Sequence, residues 1–176
     1  WQEVINKVSK DGIEIELITF GDYLLPNQAL NDGDIDLNAF QHHAYFYNET
    51  NTKGYNLSII GLTFISAMNI YSQKISNVNE IKRGDKIAIP NDPSNGGRAL
   101  KVLEAAGLIK VKPEVGDLPS ISDIIENPLG LNILAVEHVC SGVHLDVGAL
   151  RCGDDAFCLV QAGSFDLLQL ICQVIF

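Results

Sequence analysis

Apolar positions along the chain switch between two periods. Trp1, Val4, Ile5 and Val8 recur at helical spacing and predict a helix over residues 1–10, stopped by Asp11-Gly12. Residues 13–20 alternate at period two, which predicts a strand with one covered face. A second helix is expected to start near Pro26, because proline suits a first helical turn, and to end before Gly33. Residues 34–39 read as a short strand, followed by an aromatic and histidine-rich run over 40–47. Residues 57–70 are apolar and β-branched, yet Gly61 and Ser66 interrupt them too often for one clean helix.

Further along, 78–81 predicts a helical turn, Arg83-Gly84-Asp85 a tight turn and 86–89 a strand. A polar loop over 91–97 then feeds a helix expected at 98–106, with Gly107 placed as its C-terminal cap. Residues 122–125 read as another helical turn stopped by Asn127-Pro128, and 131–136 as a strand. Strands that alternate with helices argue for an α/β fold with mainly parallel pairing. The polar, irregular block over 71–84 is the expected boundary between two lobes: 1–73, then 74–165, with 166–176 an unassigned tail.

Composition narrows the function classes. The 176 residues are 47% hydrophobic, too many for a disordered chain, and enough to bury a core. Twenty-two acidic against twelve basic side chains give a net charge of −10, which argues against nucleic acid and against an anionic membrane surface. Neither a signal peptide nor a spanning apolar run is present, and the start at Trp1 suggests a processed protein or part of one. The last quarter differs from the rest. Cys140, Cys152, Cys158 and Cys172 all lie there, and Arg151 is its only Arg or Lys from Leu129 onward. No C-x-x-C pair is present, so buried thiols or one disulfide are preferred to a zinc site.

Two constellations carry chemistry. The first is the strand, loop and helix over 86–98. Ligands of open α/β sheets sit beyond the carboxyl ends of strands, and a helix start offers backbone N–H groups to an anion. Arg98, read as lying in the first helical turn, has a planar fork suited to a carboxylate or phosphate; the alternative is an exposed Arg paired with Asp92 or Asp117. Gly96-Gly97 forms neither G-x-G-x-x-G nor a Walker loop, so nucleotide binding is not expected and no cofactor is implied. The second constellation is 36–47, with Phe40, His42, His43, Tyr45, Phe46 and Tyr47. Its adjacent histidines cannot easily chelate one ion, and its aromatics suit either ordinary core or an apolar pocket.

These residues also resemble a known family. The stretches 21–27, 33–42 and 87–100, with Ala106-Gly107-Leu108-Ile109-Lys110 and Asp123-Ile124-Ile125-Glu126-Asn127-Pro128, are similar to the MetQ/NlpA family from about Trp1 to Glu137. That family comprises the methionine-binding lipoproteins of bacterial ABC importers. The resemblance implies a two-lobed α/β fold of the periplasmic-binding-protein type (type II-like) that closes on methionine, a similar amino acid or a Met-containing dipeptide. It also implies an ABC permease as partner, a monomer, no catalytic residues and no metal. It places the protein at the bacterial cell envelope, lipid-anchored through an upstream cysteine that this chain lacks.

Carried over by position, Arg98 would clamp the ligand carboxylate, with Asn91 and Asn95 shaping its loop. His42, Tyr45, Phe40, Tyr23 and Phe64 would form the side-chain pocket, while His43 falls on a variable position and is expected to face solvent. The chain departs from the family at Ala44, where a proline is usual, and at Ser66, Ala67 and Ile70, where an aromatic and a proline are expected. Gln161 stands where a ligand-binding asparagine belongs. The first strand, before Trp1, and the returning segment, after about Phe165, are expected to be missing. Two other readings stand beside this one. A surface or adhesive protein could keep the fold without transport, and Cys140 with His144 at i, i+4 and His138 nearby could form a Cys/His hydrolase site.

Overall fold

A computed structural model describes residues 1–63, 67–72 and 74–136, together with the backbone of 156–161 and 169–175. The chain divides into two compact units, Trp1–Ile65 with Leu167–Phe176, and Ser66–Asp166.

In the first unit, helix α1 (Gln2–Val8) and a 3-10 turn lead through Gly12 into strand β1 (Glu14–Phe20). The predicted alternation holds: Ile15, Leu17 and Phe20 are half-buried, whereas Glu14, Glu16 and Thr19 are exposed. β1 pairs antiparallel with the chain's last strand, β8 (Gln169–Ile175). Helix α2 (Leu25–Asp32) carries Pro26 in its first turn and ends at Gly33, so both punctuating residues act as expected. Ala29 and Ile35 form a small buried cluster with Ile18, Phe20 and Leu30.

Three sequence readings of this unit are corrected. The returning segment expected to be missing after about Phe165 is present, since Leu167–Phe176 belongs to this unit and β8 pairs with β1. Residues 34–39 form no strand, despite the alternation of Ile35, Leu37 and Ala39. Side-chain amides hold that segment instead of a backbone ladder, as described below. Helix α3 (His43–Lys53) was not foreseen, because Tyr45 and Phe46 are adjacent and give no helical period. It is set by local chemistry: the His42 side chain caps its start, and Gly54 follows its end. Ala44 occupies its second position, where proline and alanine are both tolerated, so loss of the family's proline leaves the helix intact.

The second unit is built on a four-stranded sheet in the order β2 (Met68–Tyr71), β7 (Ala156–Gln161), β3 (Lys86–Pro90), β6 (Asn132–Val136). Parallel pairing is confined to β3 with its neighbours β6 and β7; β2 with β7 and β1 with β8 are antiparallel. A two-stranded antiparallel pair joins β4 (Lys110–Val111) to β5 (Ile124–Glu126), and a 3-10 turn at Ile121–Asp123 precedes β5. Two of the three pairings in the four-stranded sheet are therefore parallel, as expected, with β2 added antiparallel at its edge, and the helical turn expected at 122–125 sits one residue earlier and gives way to a strand.

β3 is buried on both faces, as a central strand flanked in parallel should be. Helix α4 (Pro93–Ala105) packs Ala99, Leu100 and Leu103 into the same core as Ile87 and Ile89. Leu103 and Ile87 are wholly inaccessible, and burying each such side chain contributes roughly 1.5–3 kcal/mol. The helix ends in a Schellman motif, with Leu108 N–H to Leu103 O at 3.0 Å and Gly107 N–H to Glu104 O at 2.9 Å. Gly107 takes φ +72°, the left-handed geometry that this ending requires.

α4 starts five residues before the predicted Arg98. Asp92 caps it and Pro93 is its first residue, so Asn91-Asp92-Pro93-Ser94-Asn95-Gly96-Gly97, read as a loop, is mostly helix. Both glycines are explained by packing. A Cβ on Gly96 would stand 2.8 Å from Pro90 O, and one on Gly97 would stand 3.0 Å from Leu118 Cα and 3.2 Å from Pro119 Cδ. They let the first turns of the helix lie against the end of β3 and against the 117–119 loop.

Among the described residues no helix is long and apolar enough to cross a membrane.

Candidate functional site

The site residues of the second unit follow from where β3 ends. Pro90 completes the strand, Asn91 N–H is held by Val136 O at 3.2 Å, and Asp92 opens the helix. Asp92 Oδ1 accepts from Asn95 N–H at 2.9 Å and from Ser94 Oγ at 2.7 Å, while Gly96 N–H donates to Asp92 O at 2.8 Å. The helix start is therefore already capped by a carboxylate of this chain. Its backbone N–H groups are not the open anion cradle that the sequence suggested.

Arg98 lies in the second turn, not the first. It shares a helical face with Asn95, three residues earlier, and donates from Nη1 to Asn95 Oδ1 at 3.2 Å. The expected alternative, a pair with Asp92 or Asp117, is not formed: among the described residues Arg98 makes no ion pair. A half-buried guanidinium with five donors and one neutral acceptor retains the planar fork that suits a carboxylate. Asn91 is exposed at the mouth of this loop.

A recess of about 310 Å³ opens beside the same loop, lined by Ile89, Asn91, Gly96, Leu100, Ser120 and Ala135 among others. Arg98 and Asn95 do not line it, because Gly96, Gly97 and Leu100 occupy another face of α4. At its rim, Ser120 N–H and Oγ both donate to Asp123 Oδ2, at 3.0 and 2.6 Å. These bonds, with Lys112 close by, hold the Asp123 carboxyl below its ordinary range.

In the first unit Tyr45 is the hub. It is 3% exposed, and its ring meets Tyr23, Phe40 and His42 edge-on, at centroid distances of 5.6, 6.0 and 6.4 Å. Tyr45 Oη donates to Tyr23 O at 3.2 Å, and His42 Nδ1 accepts from Tyr45 N–H at 3.2 Å. That second bond leaves Nε2 to carry the proton of the neutral ring. The structure thus brings together Tyr23, Phe40, His42 and Tyr45. His43 is exposed, its ring against Tyr47, as expected of a residue facing solvent.

Three amides missed at the sequence level hold this cluster's chain segment. Asn27, 1% exposed on α2, donates from Nδ2 to Gln41 Oε1 at 2.8 Å and accepts at Oδ1 from Gln41 Nε2 at 2.6 Å and Asn38 Nδ2 at 3.0 Å. Asn38 also reaches Pro26 O at 3.3 Å. Nothing in hydrophobic periodicity marks such a network; in the sequence the three amides stand out only as members of the family-like stretches 21–27 and 33–42. Farther along α3, the Lys53 ammonium lies 2.8 Å from buried Glu49 Oε2 and forms an i, i+4 ion pair with it. Hydrogen bonding to Glu49 holds the Lys53 pKa above its ordinary value.

Gln161 is the last residue of β7, opposite Met68, and so ends a strand parallel to β3, just as Asn91 follows β3 itself. Its side chain, Phe64, Ser66 and the Cys140, His138 and His144 group lie outside the described residues. Among the described residues no three His, Cys, Asp or Glu side chains are grouped to hold a metal ion.

The sequence profile of the NlpA lipoprotein family matches residues 1–160. The D-methionine-binding lipoprotein MetQ of Escherichia coli K12 is 48% identical over 137 residues, which cover 77% of this chain and 51% of that protein. A protein described as a probable D-methionine-binding lipoprotein MetQ, from Haemophilus influenzae, is 44% identical over 147 residues, covering 82% and 54% respectively. The chain thus spans about half the length of the curated relatives it matches. Among solved structures, the methionine binding protein MetQ superimposes with a TM-score of 0.81 at 37% identity, over 98% of this chain and 76% of that one. A nutrient binding protein from Burkholderia cenocepacia, solved bound to methionine, gives 0.80 at 30% identity, over 98% and 78%. The fold is the α/β periplasmic-binding type that the sequence motifs implied, and the chain belongs to the NlpA lipoprotein family.

Proposed function

We propose that this chain is a substrate-binding protein that takes methionine or a closely related amino acid and hands it to the permease of an ABC importer, at a lipid-anchored position in the bacterial cell envelope. The observation that carries the reading is Arg98. A half-buried guanidinium that lacks a carboxylate partner among the described residues is matched to a ligand that brings one. Asn95 orients the fork and Asn91 borders its loop. Tyr23, Phe40, His42 and Tyr45 supply polarizable ring edges and faces to which a thioether is attracted. Phe64 and Gln161 complete the assignment by position. Relatives described as D-methionine-binding, and a similar fold solved with methionine, support the choice of ligand.

The test is thermal denaturation of the chain with and without amino acids. Methionine at about 100 times its dissociation constant adds roughly 2.7 kcal/mol to stability, a rise of several degrees in Tm. Arg98→Ala removes that rise. A folded, ligand-stripped sample whose Tm ignores methionine in both stereochemical forms, other amino acids and Met-containing dipeptides would refute the reading. An undiminished rise in Arg98→Ala would refute the role given to Arg98.

A further inference from the structure

Asp92 makes more hydrogen bonds than a helix cap needs. Capping is complete once Oδ1 accepts the N–H of Asn95, the third residue of α4. The same carboxylate also receives the Asn95 side chain, whose Nδ2 lies 3.2 Å from Oδ1 and 3.1 Å from Oδ2. Asn95 has one amide with two unlike ends. Its NH2 faces the anion, so its carbonyl faces the other way, to Arg98 Nη1 at 3.2 Å. Ser94, with no exposed surface, adds a bond to Oδ1 at 2.7 Å and fixes the carboxylate in turn.

We propose that Asp92 is a positioning residue of the binding site, which sets the orientation of the Asn95 amide and through it aims the Arg98 guanidinium. The proposal rests on the reading of Arg98 as the carboxylate clamp, and it deepens that reading by naming what holds the clamp. A flexible arginine loses side-chain entropy when it is fixed on a ligand, and a fork held in place beforehand loses less. Asp92 therefore acts on affinity without touching the ligand.

Asparagine and serine separate this role from capping, since both cap helices well. In Asp92→Asn, the oxygen that keeps the cap leaves an NH2 facing the NH2 of Asn95. The relief is a flip of Asn95, which turns donors toward the donors of Arg98. Asp92→Ser keeps the cap and merely releases the amide. The experiment combines calorimetric titration with methionine and with methioninamide, which has no carboxylate, and 15N NMR of the Arg98 guanidinium in the ligand-free protein.

In Asp92→Asn, methionine affinity should fall about tenfold, the scale of one charge-assisted hydrogen bond, with methioninamide affinity unchanged. Asp92→Ser should fall less, both variants should keep their Tm within a few degrees, and rotation of the Arg98 guanidinium should accelerate in both. Equal losses for the two ligands, or unaltered Arg98 signals in Asp92→Asn, would overturn the proposal. If the native chain binds no amino acid at all, the carboxylate-clamp reading fails, and the NMR signals alone still decide whether Asp92 holds Arg98.

Discussion

Asn27 shows how one side chain can support a binding segment from behind. The stretch from Leu37 to His42 has no regular secondary structure, yet it delivers Phe40 and His42 to the Tyr45 ring. Asn27 bonds both Asn38 and Gln41 while 1% exposed, so its removal takes the partner from half-buried amide groups on both. Each unmet group costs about 1–3 kcal/mol. Asn27→Leu should therefore lower stability by that order in urea denaturation and weaken methionine binding; a stability within about 0.5 kcal/mol of the native chain, the range of ordinary surface substitutions, would show that the network does not support the segment. At this scale the sequence was readable where a residue type has one task. Arg98 was singled out from its chemistry as a candidate anion clamp, whereas Tyr45 was assigned only through the family motif. Asn27 and Asp92 were not given their roles, because amides and carboxylates have many uses and their partners lie in neighbouring turns or elements.

At the scale of elements, periodicity succeeded wherever burial set the pattern. β1 with its one covered face follows directly from it, β3 lies where a strand was expected, and the end of α4 was marked instead by the Gly107 cap. Periodicity failed where capping or side-chain bonding decided the outcome. The α4 start has the composition of a loop, and only the Asp92-Pro93 pair marks it as a helix start. The 34–39 alternation lost to the amide network. The 3-10 turn before β5 depends on a similar local device, Ser120 with Asp123. Asp123 has a depressed pKa in the folded state, so its contribution to stability is present above the ordinary carboxylate range and is lost as pH falls through the depressed value. Ser120→Ala should shift the Asp123 titration upward, toward an ordinary carboxylate, and remove part of that contribution. Carboxyl 13C NMR against pH measures it, and an unmoved titration would mean that Ser120 is not the main cause.

The chain divides into two compact units, and the described residues of each form a buried cluster. In one, α2 and β1 surround Ala29 and Ile35; in the other, α4 and β4 cover the sheet around Ile87 and Ile89. The α/β class was legible from the alternation of strands and helices. Strand order was not, because β7 and β8 enter their sheets from the far end of the chain, to pair with β3 and β1. Family motifs spread through the sequence carried the functional reading farther than periodicity did. The central claim is that the chain binds one amino acid, with its carboxylate on Arg98. Isothermal titration of the ligand-stripped, folded protein with methionine tests it most directly. The account predicts saturable binding of one methionine per chain, which is lost in Arg98→Ala. The absence of saturable heat with methionine, where circular dichroism and thermal unfolding show the chain to be folded, would contradict it.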